Sequence, residues 1–76
     1  MNYVLKLSIK PNSGALLRVL GLVERRAWST TALQTHGRGQ GADLEFDLQV
    51  LGERSIEILV RQLSRLHVVN TVEVRP

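Results

Sequence analysis

The chain opens on a strict alternation. Tyr3, Leu5, Leu7 and Ile9 are apolar, and Asn2, Val4, Lys6, Ser8 and Lys10 fall between them. A period of two puts every second side chain on the same face, so this stretch predicts a strand with one strongly apolar face. Pro11-Asn12-Ser13-Gly14 punctuates it. The period then changes: Leu16, Val19, Leu20 and Val23 share one side of a helix, with Arg18 and Arg25 opposite and Leu17 and Leu22 on the two flanks of the stripe. Trp28 to His36, rich in Thr, reads as a second strand, and Gly37-Arg38-Gly39-Gln40-Gly41 as a hairpin connection. Leu44, Phe46, Leu48 and Val50 alternate with Asp43, Glu45, Asp47 and Gln49, which predicts a third strand that Gly52 ends. Ile56, Leu59, Val60, Leu63 and Leu66 form one face of a second helix, with Arg61 and Arg65 opposite, and Val68 to Arg75 closes the sequence as a fourth strand.

The predicted order is strand, helix, strand, strand, helix, strand. This is the α+β, ferredoxin-like βαββαβ sandwich. Right-handed crossovers put both helices on one face of a four-stranded antiparallel sheet, with strand order 4-1-3-2 and strands two and four at the edges. Seventy-six residues hold one domain, spanning 1–76, whose core is small enough that burial against a partner adds to its stability.

The first helix entrance is the strongest candidate site. Backbone N–H groups at a helix start attract carboxylates. Ser13 or Asn12 is placed to cap this helix, and Gly14 leaves space beside its first turn. Composition narrows the partners without choosing one. Ten Lys and Arg against seven Asp and Glu give a net charge of +3, which suits nucleic acid or an acidic protein. The sequence has no cysteine, no apolar run long enough to span a membrane and no signal-peptide pattern at Met1-Asn2-Tyr3-Val4, which points to a cytoplasmic protein.

Catalysis finds little support. His36 and His67 have no metal-ligand spacing, so no metal or other cofactor is expected. Glu45, Asp47 and Glu73 fall on the open face of the predicted sheet, where they can pair with Lys6 and with arginines across strands and where no cleft shifts their pKa. RNA-recognition modules of this topology stack bases on strand aromatics, but Tyr3 and Phe46 fall on the helix-facing side and Glu45 and Asp47 would repel phosphate. Nucleic acid is therefore not an expected partner.

The whole sequence resembles an ACT domain, and within that group the small regulatory subunits of acetolactate synthase. Ser13-Gly14-Ala15-Leu16, Arg18-Val19-Leu20-Gly21-Leu22, then Arg26, Trp28 and Ser29 are similar to that family's S-G-A-L-x-R-V-x-G-L with an aromatic further on. Gln62-Leu63-Ser64-Arg65-Leu66-His67-Val68-Val69 is similar to its Q-L-x-K-L-x-D-V. The single-domain length is closest to the short isozyme II type. The resemblance implies a non-catalytic subunit that binds and supports the thiamine-diphosphate-dependent catalytic (large) subunit in branched-chain amino-acid synthesis. Two departures, Pro11 where valine-binding members carry asparagine and Ser29 where they carry another, imply weak or no valine binding. A free-standing amino-acid-sensing homodimer and a nucleic-acid module stay as alternatives.

ACT domains pair side by side through strand two and helix one, so the resemblance implies a homodimer. Ser29 to Thr35 carries no charge, proline or bulge signal to blunt that edge, and Leu17 or Leu22 is free to add apolar contact. A small amino acid would then sit where Asn12, Ser13, Gly14, Ala15 and Leu16 of one copy meet Trp28, Ser29, Thr30 and Thr31 of the other. The helix start would receive its carboxylate, and Ser29 or Thr31 its ammonium. Ile58, isolated among arginines on the second helix, is a candidate contact for an acidic partner.

Overall fold

A computed structural model describes residues 1–38 and 42–75, with the side chains of 37 and 38 left aside. Its six elements are β1 (Asn2–Ile9), α1 (Ala15–Arg25), β2 (Ser29–Arg38), β3 (Leu44–Leu51), α2 (Ile56–Ser64) and β4 (Val69–Arg75). The sheet order is β2-β3-β1-β4, all neighbours antiparallel, as the sequence pattern predicts. The predicted hairpin at Gly37 to Gly41 falls largely outside the described residues.

Alternation decides which face of the sheet is covered. Leu5, Leu7 and Ile9 of β1 and Phe46, Leu48 and Val50 of β3 are all buried, and their sequence neighbours are not. Those six side chains meet Ala15, Val19, Leu22 and Val23 of α1 and Leu59 and Leu63 of α2. Burying apolar surface at roughly 25 cal/mol per Å² makes this layer the principal source of stability. Leu22 is a correction: it belongs to the core and not to a flank. Ala15, Val19, Leu22 and Val23 follow i, i+4, i+7, i+8 as well as Leu16, Val19, Leu20 and Val23 follow i, i+3, i+4, i+7, and packing selects the phase in which Leu16 and Leu20 sit at the margin. Leu17 is left 74% exposed.

The edge strand β2 differs from its predicted form in one respect. Its register against β3 shifts between Thr30 and Ala32, and again between Thr35 and Arg38. The sequence carries no bulge signal there, because Thr is a good strand former. The Thr31 hydroxyl donates to the Gln49 carbonyl at 3.4 Å, a local bond the pattern of apolar positions does not encode.

Two junctions fix the ends of α1. At its end, Trp28 N–H donates to the Val23 carbonyl and Ala27 N–H to the Glu24 carbonyl, both at 3.1 Å. This is a Schellman turn, with Ala27 in the left-handed region at φ 67. The turn delivers Trp28 into the core at 2% exposure, edge-on to Tyr3 with ring centroids 5.9 Å apart. Gly52 lies against the indole: a Cβ there would stand 2.6 Å from Trp28 Cε3. The start of α1 has a different character.

Candidate functional site

Gly14 occupies the N-cap position of α1 with φ 79. Neither Ser13 nor Asn12 caps the helix through its side chain, which corrects the expectation from the sequence. The Asn12 backbone carbonyl accepts Ala15 N–H at 3.1 Å, and the first helical bond runs from Arg18 N–H to the Gly14 carbonyl at 3.0 Å. The left-handed turn at Gly14 supplies the geometry that a side-chain cap otherwise would. The first turn also contains no acidic residue. Apart from Ala15 N–H, its N–H groups and the positive end of the helix dipole are therefore left without a side-chain partner from the first turn.

That entrance opens on a cleft of about 320 Å³, floored by Ile9, Ala15 and Leu44 and rimmed by Lys10, Asn12 and Gly14. A Cβ built on Gly14 meets nothing within 4 Å, so the space beside it is open. Lys10 is held at the rim by its backbone and its head. Its N–H donates to the Val68 carbonyl at 2.8 Å, and its ammonium donates to Asn70 Oδ1 at 2.9 Å. Asn70 in turn donates to Asp43 Oδ2 at 2.9 Å. The cleft thus combines an apolar floor, a helix start and a tethered cation, a set of groups suited to a small carboxylate. Lys10, at the last position of the first alternating stretch, and Leu44 were not singled out as site residues from the sequence. Both reach the cleft because β1 and β3 end together at the Ile9–Leu44 pair.

The predicted site residues form two groups. Asn12, Ser13, Gly14, Ala15 and Leu16 surround the helix entrance at the Ile9–Leu44 end of the sheet. Ser29, Thr30 and Thr31 start β2 at the far end, where Ser29 pairs with Leu51. Trp28 precedes them with its ring buried in its own core. Within one chain the two groups are not brought together. Thr30 nevertheless has a buried hydroxyl without a hydrogen-bond partner, and its N–H donates to Glu24 Oε2 at 3.3 Å.

The open face of the sheet carries a separate polar cluster. His36 Nε2 lies 2.9 Å from Asp47 Oδ2, and Arg75 Nη1 lies 3.6 Å from the same oxygen. The His36 hydrogen bond, aided by the charges of His36, Arg75 and Lys6, holds the Asp47 carboxyl below the usual carboxylate range despite its partial burial. Asp47 finds its ion pairs in His36 and Arg75 rather than in Lys6, which stands beside it in the β1–β3 register.

A four-stranded antiparallel sheet with two helices on one face and a ligand-sized cleft at the first helix entrance defines a small ferredoxin-like sandwich. The sequence model of the ACT domain matches residues 11–72, and the chain belongs to that family. ACT domains are regulatory, ligand-sensing units, and this chain is one of them. Among solved structures it is similar to the ACT domain of GTP pyrophosphokinase from Chlorobium tepidum, with TM-score 0.78 at 12% identity over 99% of this chain and 97% of that one. It is also similar to the C-terminal domain of MgtC from Mycobacterium tuberculosis, with TM-score 0.72 at 15% identity over 97% and 84% of the two chains. At such identities the likeness is one of fold. No curated protein matches the sequence. Among the described residues, no helix is long and apolar enough to cross a membrane.

Proposed function

We propose that this ACT domain is a non-catalytic small subunit of acetolactate synthase, which binds and activates the cytoplasmic catalytic subunit in branched-chain amino-acid biosynthesis. The observation that carries the reading is the Ser13-Gly14-Ala15-Leu16 entrance with its Arg18-Val19-Leu20-Gly21-Leu22 continuation. The left-handed Gly14, the open space beside it and the uncapped first turn give that motif a physical purpose. Co-expression with an acetolactate synthase catalytic subunit tests it. Co-purification with a rise in that subunit's activity is the expected result. Failure to associate, with activity unchanged, overturns the assignment.

A free-standing homodimeric amino-acid sensor is the second reading, and the exposed β2 edge favours it. The residues from Thr31 to His36 are exposed, and Leu33, opposite the buried Leu48, is 37% exposed on the helix side. Two copies paired antiparallel through β2 about a two-fold axis would set the Trp28–Thr31 segment of one beside the Asn12–Leu16 entrance of the other. The two residue groups that lie apart in one chain would then complete one site, and Leu17 would add apolar contact. Sedimentation at micromolar concentration should give a mass near twice 8.5 kDa. Titration calorimetry with valine, leucine, isoleucine and serine then reads the ligand, with weak or no valine binding expected from Pro11 and Ser29.

A further inference from the structure

A second cleft is larger than the one at the helix entrance. It lies at the opposite end of the sheet, between the end of α1 and the start of α2, and measures about 560 Å³. Arg25 and Arg26 line it at the end of α1 and Arg54 from the β3–α2 connection, with Trp28, Ile58 and Leu59 as its apolar wall; the Arg25 head folds back along α1 toward Gly21. That volume falls within the range of sites for small organic ligands.

Its charge is uncompensated. No described carboxylate lies within ion-pairing distance of the three guanidinium groups. The two acids adjacent to them in sequence are engaged elsewhere. Glu24 accepts the Thr30 N–H, and Glu53 pairs with the Met1 amine at 3.4 Å. Arg26 is tethered to α2 by donating to Gln62 Oε1 at 3.2 Å. Ser55, the N-cap of the nine-residue α2, makes no side-chain capping bond and lines the same cleft. Glu57 sits in the first turn of α2 but does not line the cleft.

From this arrangement we infer a second ligand site, specific for a small phosphorylated organic molecule. Arg26 and Arg54 together carry more positive charge than one carboxylate can balance, and the planar guanidinium fork matches phosphoryl oxygens in pairs. The apolar wall gives the organic part its place. Ile58, 52% exposed, lines this concavity. The site shares no lining residue with the helix-entrance cleft of the same chain; Trp28 alone is common to it and to the segment that the dimeric amino-acid reading sets beside a neighbour's entrance.

Trp28 is the only tryptophan in the chain and borders the cleft, so its fluorescence reports binding directly. The full chain is titrated with pyrophosphate, with ADP and with a poly-glutamate peptide, and the Arg26→Gln and Arg54→Gln variants are titrated alongside. The expected result is saturable binding of ADP, tighter than that of pyrophosphate and weakened about tenfold or more in each variant with the melting temperature unchanged. Absence of a saturable response to ADP overturns the site. Equal ADP affinity in the variants does the same, because it removes the arginines from the recognition. Pyrophosphate binding as tightly as ADP overturns the organic part of the inference. Peptide binding in preference to both would reassign the cleft to an acidic protein.

Discussion

Gly14 and Gly52 mark the two ends of the sheet, and each resists replacement for the opposite reason. Gly14 has a left-handed backbone and empty space where a Cβ would go. Gly52 has no such backbone demand, but the Trp28 ring fills the volume a Cβ would need. One end is built by conformation around an opening, and the other by contact around a plug. A binding entrance needs exposed N–H groups and room, so it is made from a turn with few neighbours. A stable small domain needs at least one closed end, and here Trp28, Tyr3 and Gly52 provide it.

The sharpest way to break this contrast is to remove the plug. Trp28→Ala should cost about 3–5 kcal/mol, enough to unfold much of a domain this small, as read by chemical denaturation. A loss under about 1 kcal/mol would show that the indole is not the keystone of that end. Next comes Gly52→Ala, whose added methyl must displace the indole. It should cost about 1–3 kcal/mol, and pairing it with a smaller side chain at Trp28 should make the two losses non-additive. At the open end, Gly14→Ala meets no steric obstacle and should cost about 1–2 kcal/mol through backbone strain alone. Gly14→Asn should recover part of that loss, because Asn tolerates the left-handed region, whereas Gly52→Asn should recover nothing.

Ala27 supplies a smaller test with the opposite sign. It holds the left-handed position of the Schellman turn, where glycine is the usual occupant. Ala27→Gly relieves the strain but adds entropy to the unfolded chain, so a net gain of about 0.5–1 kcal/mol is expected, or a rise of several degrees in melting temperature. The smallest effect belongs to the open face, outside both ends. The folded Asp47 carboxyl titrates below its unfolded counterpart, so its contribution is complete above about pH 4 and is lost as pH falls through the folded value. Asp47→Asn should therefore narrow the stability difference from the parent chain in acid, and His36→Ala should move the Asp47 titration measured by NMR back up toward the ordinary range.

The sequence makes the closed layer legible and the junctions less so. Leu5, Leu7, Ile9, Phe46, Leu48 and Val50 alternate cleanly because one face of the sheet is fully covered, and that marks β1 and β3, while the order of the strands follows from the βαββαβ sequence and its right-handed crossovers. The helix entrance is visible at Gly14, but its cap is not, since a backbone turn does the work expected of Ser13 or Asn12. Ala27 hides a left-handed turn because nothing in an alanine announces one. The register shift at Thr31 is accompanied by a hydroxyl-to-carbonyl bond that apolar patterning does not encode. Arg25, Arg26 and Arg54 meet only after β2 and β3 pair, so spacing along the chain does not group them. The joining of Asn12–Leu16 to Trp28–Thr31 is of another kind, since it depends on a second copy and not on the fold of one.

The central place of β1 has a consequence for synthesis on the ribosome. The strand made first is flanked by β3 and β4 and not by β2, the next strand to be made. At about 5–20 residues per second, Ile9 waits about two to seven seconds before its partner Leu44 is translated. Val69, which pairs with Ile9 on the other side, follows later still. Of the described elements, α1 and β2 alone are made between β1 and β3, and they are what this domain offers to shield the apolar face of β1 through that interval. A pause in translation before β3 would lengthen the exposure of Leu5, Leu7 and Ile9 to chaperones and to other nascent chains.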